Sequence, residues 1–271
     1  MADEIAMIEQ RVVAWRSRHP ILRSVAIALL SVLLLLSAAV WMLDSGPGHR
    51  LIIDRISELR PSSGLRIRIG RIDGSIWNKA RIRDLRLYDN RGLFLEASEI
   101  DLDWRPAAWL ANKLWIKSAQ SDLIILHRLP KLRPSAKKGP LLPGFDLHVG
   151  RLEIMRLRLE PPIAGRRLTA SIRASADIHK GRALLKLDAR SNASDRLTLQ
   201  IDSEPDRDRF DIDAKLAGPA DGVIAGVTGW TRPVDGVISG TGKWSAWRGR
   251  TTLDVGNIRL VELSLAVTSG Q

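Results

Sequence analysis

The sequence predicts a mainly β protein: an N-terminal transmembrane helix followed by an elongated, open, trough-like β-sheet with one short interrupting helix. Three observations carry this. From Leu65 onward apolar residues recur at every second position, as in Leu65-Arg66-Ile67-Arg68-Ile69, which gives a strand one apolar and one wet face. The alternating strings are separated by Gly, Pro, Asp and Asn, the residues that turn a hairpin. Ahead of them, residues 24–43 (SVAIALLSVLLLLSAAVWML) contain no ionisable side chain.

A helix over residues 24–43 is about 30 Å long at about 1.5 Å per residue, the hydrocarbon thickness of a bilayer. Lipid offers the backbone no hydrogen bonds, and a helix supplies its own. Arg16, Arg18 and Arg23 precede the run, and Trp15 and Trp41 stand near its two ends, so these five residues are placed at the membrane interface. The competing reading is a signal peptide cleaved near Ser37-Ala38-Ala39, although such peptides carry shorter apolar cores of about 7–15 residues. Basic residues lie closer before the run than after it, which puts residues 1–23 in the cytoplasm and residues 44–271 across the membrane. Within the tail, Ile5, Ile8, Val12 and Trp15 fit a short amphipathic helix or an unstructured segment equally well.

Lys and Arg number 42 against 30 Asp and Glu, a net charge of +12 that suits anionic surfaces. Cysteine is absent, which excludes disulfides, thiolate metal sites, a lipoprotein thiol anchor and a cysteine nucleophile.

The elements follow in order. Residues 44–64 hold a helix breaker, Gly46-Pro47-Gly48, then an amphipathic helix over 49–59 with Leu51, Ile52, Ile56 and Leu59 on one face, ended by Pro61 and Gly64. Residues 65–129 form a first β segment. Its strings RIRDLRLY and LFLEASEIDLDW change phase at Arg83-Asp84 and Ser98-Glu99, as a bulge does. Pro106 opens the short interrupting helix, within residues 105–113. Residues 130–144, with four prolines and four basic residues, read as a loop. Residues 145–271 form a second β segment, with strands expected at, among others, 145–149, 152–159, 223–227 and 237–244. The total is about fourteen strands, or about 65 Å of sheet at roughly 4.8 Å per strand. A short repeat, Ile67-Arg-Ile69-Gly70-Arg-Ile72, returns as Leu147-His-Val149-Gly150-Arg-Leu152 and Leu253-Asp-Val255-Gly256-Asn-Ile258; its glycine predicts a bulge or a tight corner.

Catalytic patterns are missing. The histidines at 19, 49, 127, 148 and 179 have no metal-ligand spacing, and His148 falls on the wet side of a strand. Gly240-Thr241-Gly242 reads as a hairpin turn rather than a dinucleotide loop. Asp101/Asp103 and Asp211/Asp213 share a strand face, where basic residues of neighbouring strands neutralise them. No enzyme activity, cofactor or metal is expected. Nucleic acid is not expected either, because the basic residues are interleaved with acids and few aromatics are free to stack.

What remains is the apolar face. If the sheet closes, these residues are a core; if it stays open, they line a groove suited to phospholipid acyl chains. The candidate lining is Ile67, Ile69, Ile72, Ile82, Leu85, Leu87, Leu93, Leu95, Ile100, Leu102, Trp104, Leu147, Val149, Leu152, Ile154, Leu157 and Leu159.

The order of motifs is also distinctive. After the apolar run and the amphipathic helix come Ile69-Gly70-Arg-Ile72-Asp-Gly74-Ser-Ile76-Trp77, then Arg83-Asp84-Leu85-Arg-Leu87. Leu102-Asp-Trp104-Arg-Pro106-Ala-Ala-Trp109-Leu110 and Leu114-Trp-Ile116 complete the series. Residues 20–127 thereby resemble the N-terminal part of the TamB family, the inner-membrane subunit of the translocation and assembly module, within the AsmA-like superfamily. The resemblance implies a taco-like β trough anchored in the inner membrane and lying in the periplasm. It implies phospholipid transport toward the outer membrane, support of outer-membrane protein and autotransporter assembly (protein secretion), and a TamA-like outer-membrane β-barrel as partner. Family members are much longer and end in a C-terminal domain that does not appear before Gln271. The alternative functional reading is a chaperone or scaffold that templates β-strands of outer-membrane proteins without carrying lipid.

Overall fold

A computed structural model describes residues 31, 34, 37, 38, 41–58, 63–131, 142–243 and 246–266. The chain forms two compact units, residues 1–48 and 49–271. In the first, most of the expected span lies outside the described residues, as do Trp15, Arg16, Arg18 and Arg23; Trp41 is described and exposed. No helix among the described residues is long and apolar enough to cross a membrane.

The helix expected after Gly46-Pro47-Gly48 instead includes these residues. Helix α1 runs Gly46–Glu58, and the chain breaks just before it, at Asp44-Ser45. Proline tolerates the first helical turn because its missing N–H has no intrahelical partner there. His49, buried, lies with Nδ1 2.9 Å from the Ile72 carbonyl oxygen.

All described strands belong to one thirteen-stranded, open sheet. Its strands are β1 (Arg66–Arg68), β2 (Arg71–Gly74), β3 (Lys79–Asp89), β4 (Gly92–Trp104), β5 (Lys113–Leu126), β6 (Asp146–Leu159) and β7 (Leu168–His179). They continue as β8 (Arg182–Ser191), β9 (Arg196–Glu204), β10 (Arg209–Gly218), β11 (Val234–Lys243), β12 (Ala246–Val255) and β13 (Ile258–Ala266). From β3 to β13 the spatial order is the chain order; β1 and β2 share the free side of β3. The meander follows from short polar turns. Lys180 and Gly181, both at positive φ, make the two-residue connection of β7 to β8 with the mirror-type backbone that matches strand twist.

One pairing breaks the antiparallel pattern. β5 and β6 are parallel, so the start of β6 lies beside the start of β5, and the two expected β segments form a single sheet. The connection leaves β5 under firm control. Asp89, with no exposed surface, accepts hydrogen bonds from Arg128 Nη1 (2.8 Å) and from the backbone N–H groups of Lys131 and Arg91 (2.7 Å each). The Arg128 guanidinium outweighs burial and holds the Asp89 carboxyl well below the usual carboxylate range.

The expected phase changes are present, and they are aligned. Asp84 (β3) and Ser98 (β4) drop out of the pairing at the same level, as do Asp122 (β5) and Met155 (β6). The slips lie close together on neighbouring strands, which keeps the apolar face continuous; the β4–β5 pairing lapses over Ser98–Ile100, and at β7 the mismatch appears as a register shift between Ile154 and Leu157. The repeat divides. Gly70 stands against Asp84 at this line and Gly150 sits in a bulge between Val149 and Leu152, but Gly256 makes the β12–β13 turn. The strands expected at 145–149 and 152–159 are therefore one bent strand, β6.

Two further expectations are corrected. Residues 223–227 are not a strand but part of helix α3 (Val223–Thr228), whose first N–H groups are held by a side chain from a distant turn. Gly240-Thr241-Gly242 is not a turn; it lies within β11, where the flat Trp247 ring leaves no room for a Cβ on Gly240 or Gly249. The interrupting helix is a 3-10 helix, Pro106–Ala111, and a second short helix, α2 (Pro161–Ala164), joins β6 to β7.

Candidate functional site: the apolar face of the sheet

Directly paired residues share a sheet face, so the register gives each face row by row. One row runs through eleven strands: Ala80, Leu102, Ala119, Leu152, Ala174, Leu187, Leu199, Ala214, Ile238, Thr251 and Leu263. Ten of the eleven are aliphatic. The residues one step along each strand form the opposite row: Arg81, Asp101, Gln120, Glu153, Arg173, Asp188, Thr198, Lys215, Val237, Thr252 and Glu262. The segregation is a direct product of period-two patterning.

The charged face is an ion-pair lattice. Arg81 reaches Asp101 at 2.7 Å, Arg173 reaches Glu153 at 2.9 Å, and Lys117 reaches Asp103 at 3.3 Å. Hydrogen bonding from Arg182 holds Asp202 below the ordinary carboxylate range. Asp101 and Asp103 are thus neutralised across strands, as expected, whereas Asp211 pairs with Arg209 of its own strand. His148 is more engaged than a solvated side chain: its Nδ1 is 3.1 Å from Asp177 Oδ2, and its ring lies 4.3 Å from that of Trp115.

The apolar face has no second sheet over it among the described residues. Leu102, Leu152, Leu187 and Leu199 are half-buried, covered by neighbours in the sheet alone, and exposure rises toward the last strand, to 39% at Ile238 and 48% at Leu263. Fifteen of the seventeen predicted lining residues occupy this face by register. Ile69 lies in the break between β1 and β2, and Leu93 pairs with Tyr88 beyond a register shift. Within the face, Ile72 and Leu159 are buried. The face extends beyond the predicted set, through Leu187 and Leu199 to Ile238 and Leu263. The same alternation marked these positions.

Among the described residues, a buried apolar cluster covers the rim where β6, β8 and β10 end. Leu159, Ile163, Ala164 and Leu168 form a buried cluster, packed against Leu126, Leu157, Ala193 and Val223. Helices α2 and α3 follow strands four places apart, yet their backbones meet: a Cβ on Gly226 would come within 2.6 Å of Ala164 Cα. Asp195, buried in the β8–β9 turn, ties the rim together. It accepts hydrogen bonds from Val223 N (2.9 Å), Ile224 N (3.1 Å) and Ser191 Oγ. Sequence patterning identified neither Asp195 nor α3, because a carboxylate that caps a helix 28 residues away leaves no local signature.

No protein-family model, curated protein or solved structure matches the chain.

Proposed function

We propose that the chain is a membrane-anchored β trough whose apolar face carries phospholipid acyl chains. The observation behind it is the aliphatic row that crosses eleven strands without a covering layer. A monomeric soluble protein exposes contiguous apolar patches of only a few hundred Å², and larger ones mark contact with lipid or protein. Acyl chains suit this face because it is long, aliphatic and poor in hydrogen-bonding groups. The meeting of α2 and α3 favours a sheet that curls along that rim, which gives the trough its shape. The anchor is residues 24–43, with the tail in the cytoplasm and the sheet in the periplasm. The resemblance to the TamB family supports the same assignment and adds carriage toward the outer membrane and assembly of outer-membrane proteins with a TamA-like barrel.

Photo-crosslinking amino acids at Leu102 and Leu187, with Arg173 on the opposite face as control, test the reading in the full chain. The expected products are phospholipid adducts at the two leucines and none at Arg173. Purified protein without bound lipid, together with leucine sites that trap no acyl chain, would overturn it.

A second reading rests on one specific feature. Among the described residues β13 pairs with β12 alone, and its other edge is open over Ile258–Ala266. An open edge of this length is a template for a client strand, so the sheet would act as a scaffold for β-strands without lipid carriage. Polypeptide adducts at Leu263, with no lipid at Leu102, favour that function.

A further inference from the structure

The rim opposite α2 and α3 gathers large apolar side chains with exposed surface. Trp109 and Leu110, on the 3-10 helix, are 56% and 93% exposed, and Phe145 meets Trp109 edge-on with ring centroids 5.4 Å apart. Trp77, in the β2–β3 turn, is 38% exposed. Trp115, at the start of β5, is equally bare. Backbone hydrogen bonds make these residues neighbours: Trp104 N donates to Asn78 O, and Arg105 N donates to Trp115 O.

Cations accompany the aromatics. Arg105 lies over the Trp115 ring at 5.8 Å, and Lys79 sits at the end of β3 on the same rim. Neither has a carboxylate partner among the described residues, whereas Lys113 and Lys117 are paired with Asp146 and Asp103.

We propose that this rim docks onto an anionic bilayer surface. Indole rings are large, rigid and amphipathic, and they settle at the headgroup level. Leu110, the most exposed, reaches the acyl boundary, and the free charges of Lys79 and Arg105 meet lipid phosphates. A protein partner would be expected to offer a pocket for Leu110 and acids for both cations. The bilayer supplies both along a continuous plane, which suits side chains spread over a turn, a 3-10 helix and a strand start. The inference rests on the membrane-anchored reading and gives the sheet a second contact with the bilayer that needs no acyl carriage.

The chain has no cysteine, so single labels are easily placed. Leu110→Cys and, on the opposite rim, Ala220→Cys carry an environment-sensitive fluorophore in the full chain. The proteins are reconstituted into phosphatidylglycerol-containing vesicles or into phosphatidylcholine alone, each with a spin-labelled lipid quencher near the headgroup. The expected result is several-fold stronger quenching at 110 than at 220 with phosphatidylglycerol, at least halved in phosphatidylcholine or by Lys79→Glu with Arg105→Glu. Equal quenching at the two positions overturns the proposal, as does shielding at 110 that grows with protein concentration and ignores the lipid quencher. If anchoring itself fails, neither protein floats with vesicles; if only the docking fails, both float and position 110 stays unquenched.

Discussion

The covered rim and the open rows of the apolar face are built from the same residues and have opposite fates. At the rim, Leu159, Ile163 and Leu168 are buried beneath two short helices and a turn. Further from the rim, Leu152 on β6, Leu187 on β8 and Leu199 on β9 are only half-buried. Composition therefore does not decide which part is core. What decides is whether the chain spends a connection on covering it: α2 and α3 are built into the β6–β7 and β10–β11 links, and the middle rows lie too far from either strand end to be reached.

The comparison predicts unequal responses to the same truncation. Leu168→Ala empties a closed cluster and should destabilise the sheet by about 2–4 kcal/mol, the range for buried leucines. Leu187→Ala, on an open row, should lose less than about 1.5 kcal/mol, because the side chain is half-exposed and leaves no sealed cavity. Urea midpoints at constant slope measure both. Equal losses would show that something covers Leu187 in solution.

Asp89 belongs to the covered rim too, and it makes the comparison pH-dependent. Its carboxyl is depressed in the fold, so its contribution is complete above the ordinary carboxylate pKa of about 4 and is lost as pH falls below it. Asp89→Asn should lower the unfolding midpoint at pH 7, because Arg128 then keeps a buried site without its counter-charge. The variant should also be less sensitive to acid between pH 5 and pH 3 than the wild type (a span of about two units around that pKa). Parallel acid profiles for the two proteins would sink this account.

Smaller still is the effect of the helix cap. Asp195→Ala removes the acceptor for Val223 N and Ile224 N and should cost about 1–2 kcal/mol. Hydrogen exchange should then speed up first in residues 219–233, with β3 and β4 unchanged. If exchange rises evenly through the sheet, Asp195 is not a local clasp.

Much of this was legible in the sequence, and the limits have physical causes. Alternation fixed the strands and their faces because period-two patterning is local: Ile82, Leu85 and Leu87 need no distant partner to be read. Even the slips at Asp84 and Ser98 showed as phase changes. Their alignment with Asp122 and Met155 did not, since register between strands is a tertiary property. Val223, Ile224 and Val227 look like a strand because a short apolar run carries no period of its own; what makes it helical is Asp195, 28 residues earlier. The parallel turn-back from β5 to β6 is equally invisible, as Pro130, Pro134 and Pro140 announce a break but not its direction.

The charged face offers the mildest test of all. Arg173 meets Glu153 at 2.9 Å, but its side chain is largely in solvent, and water screens the pair while the side chain gives up rotamer freedom to hold it. Glu153 keeps strand neighbours when Arg173 is lost, and Asp188, opposite Arg173 in the next strand, is already 3.3 Å from Arg190. Arg173→Gln should leave the urea midpoint unchanged within measurement error in 0.15 M salt (a Debye length of about 8 Å), and lipid adducts at Leu187 should persist. A clear loss of stability would mean that the lattice holds the sheet in shape, and the division between a stabilising rim and a passive charged face would have to be redrawn.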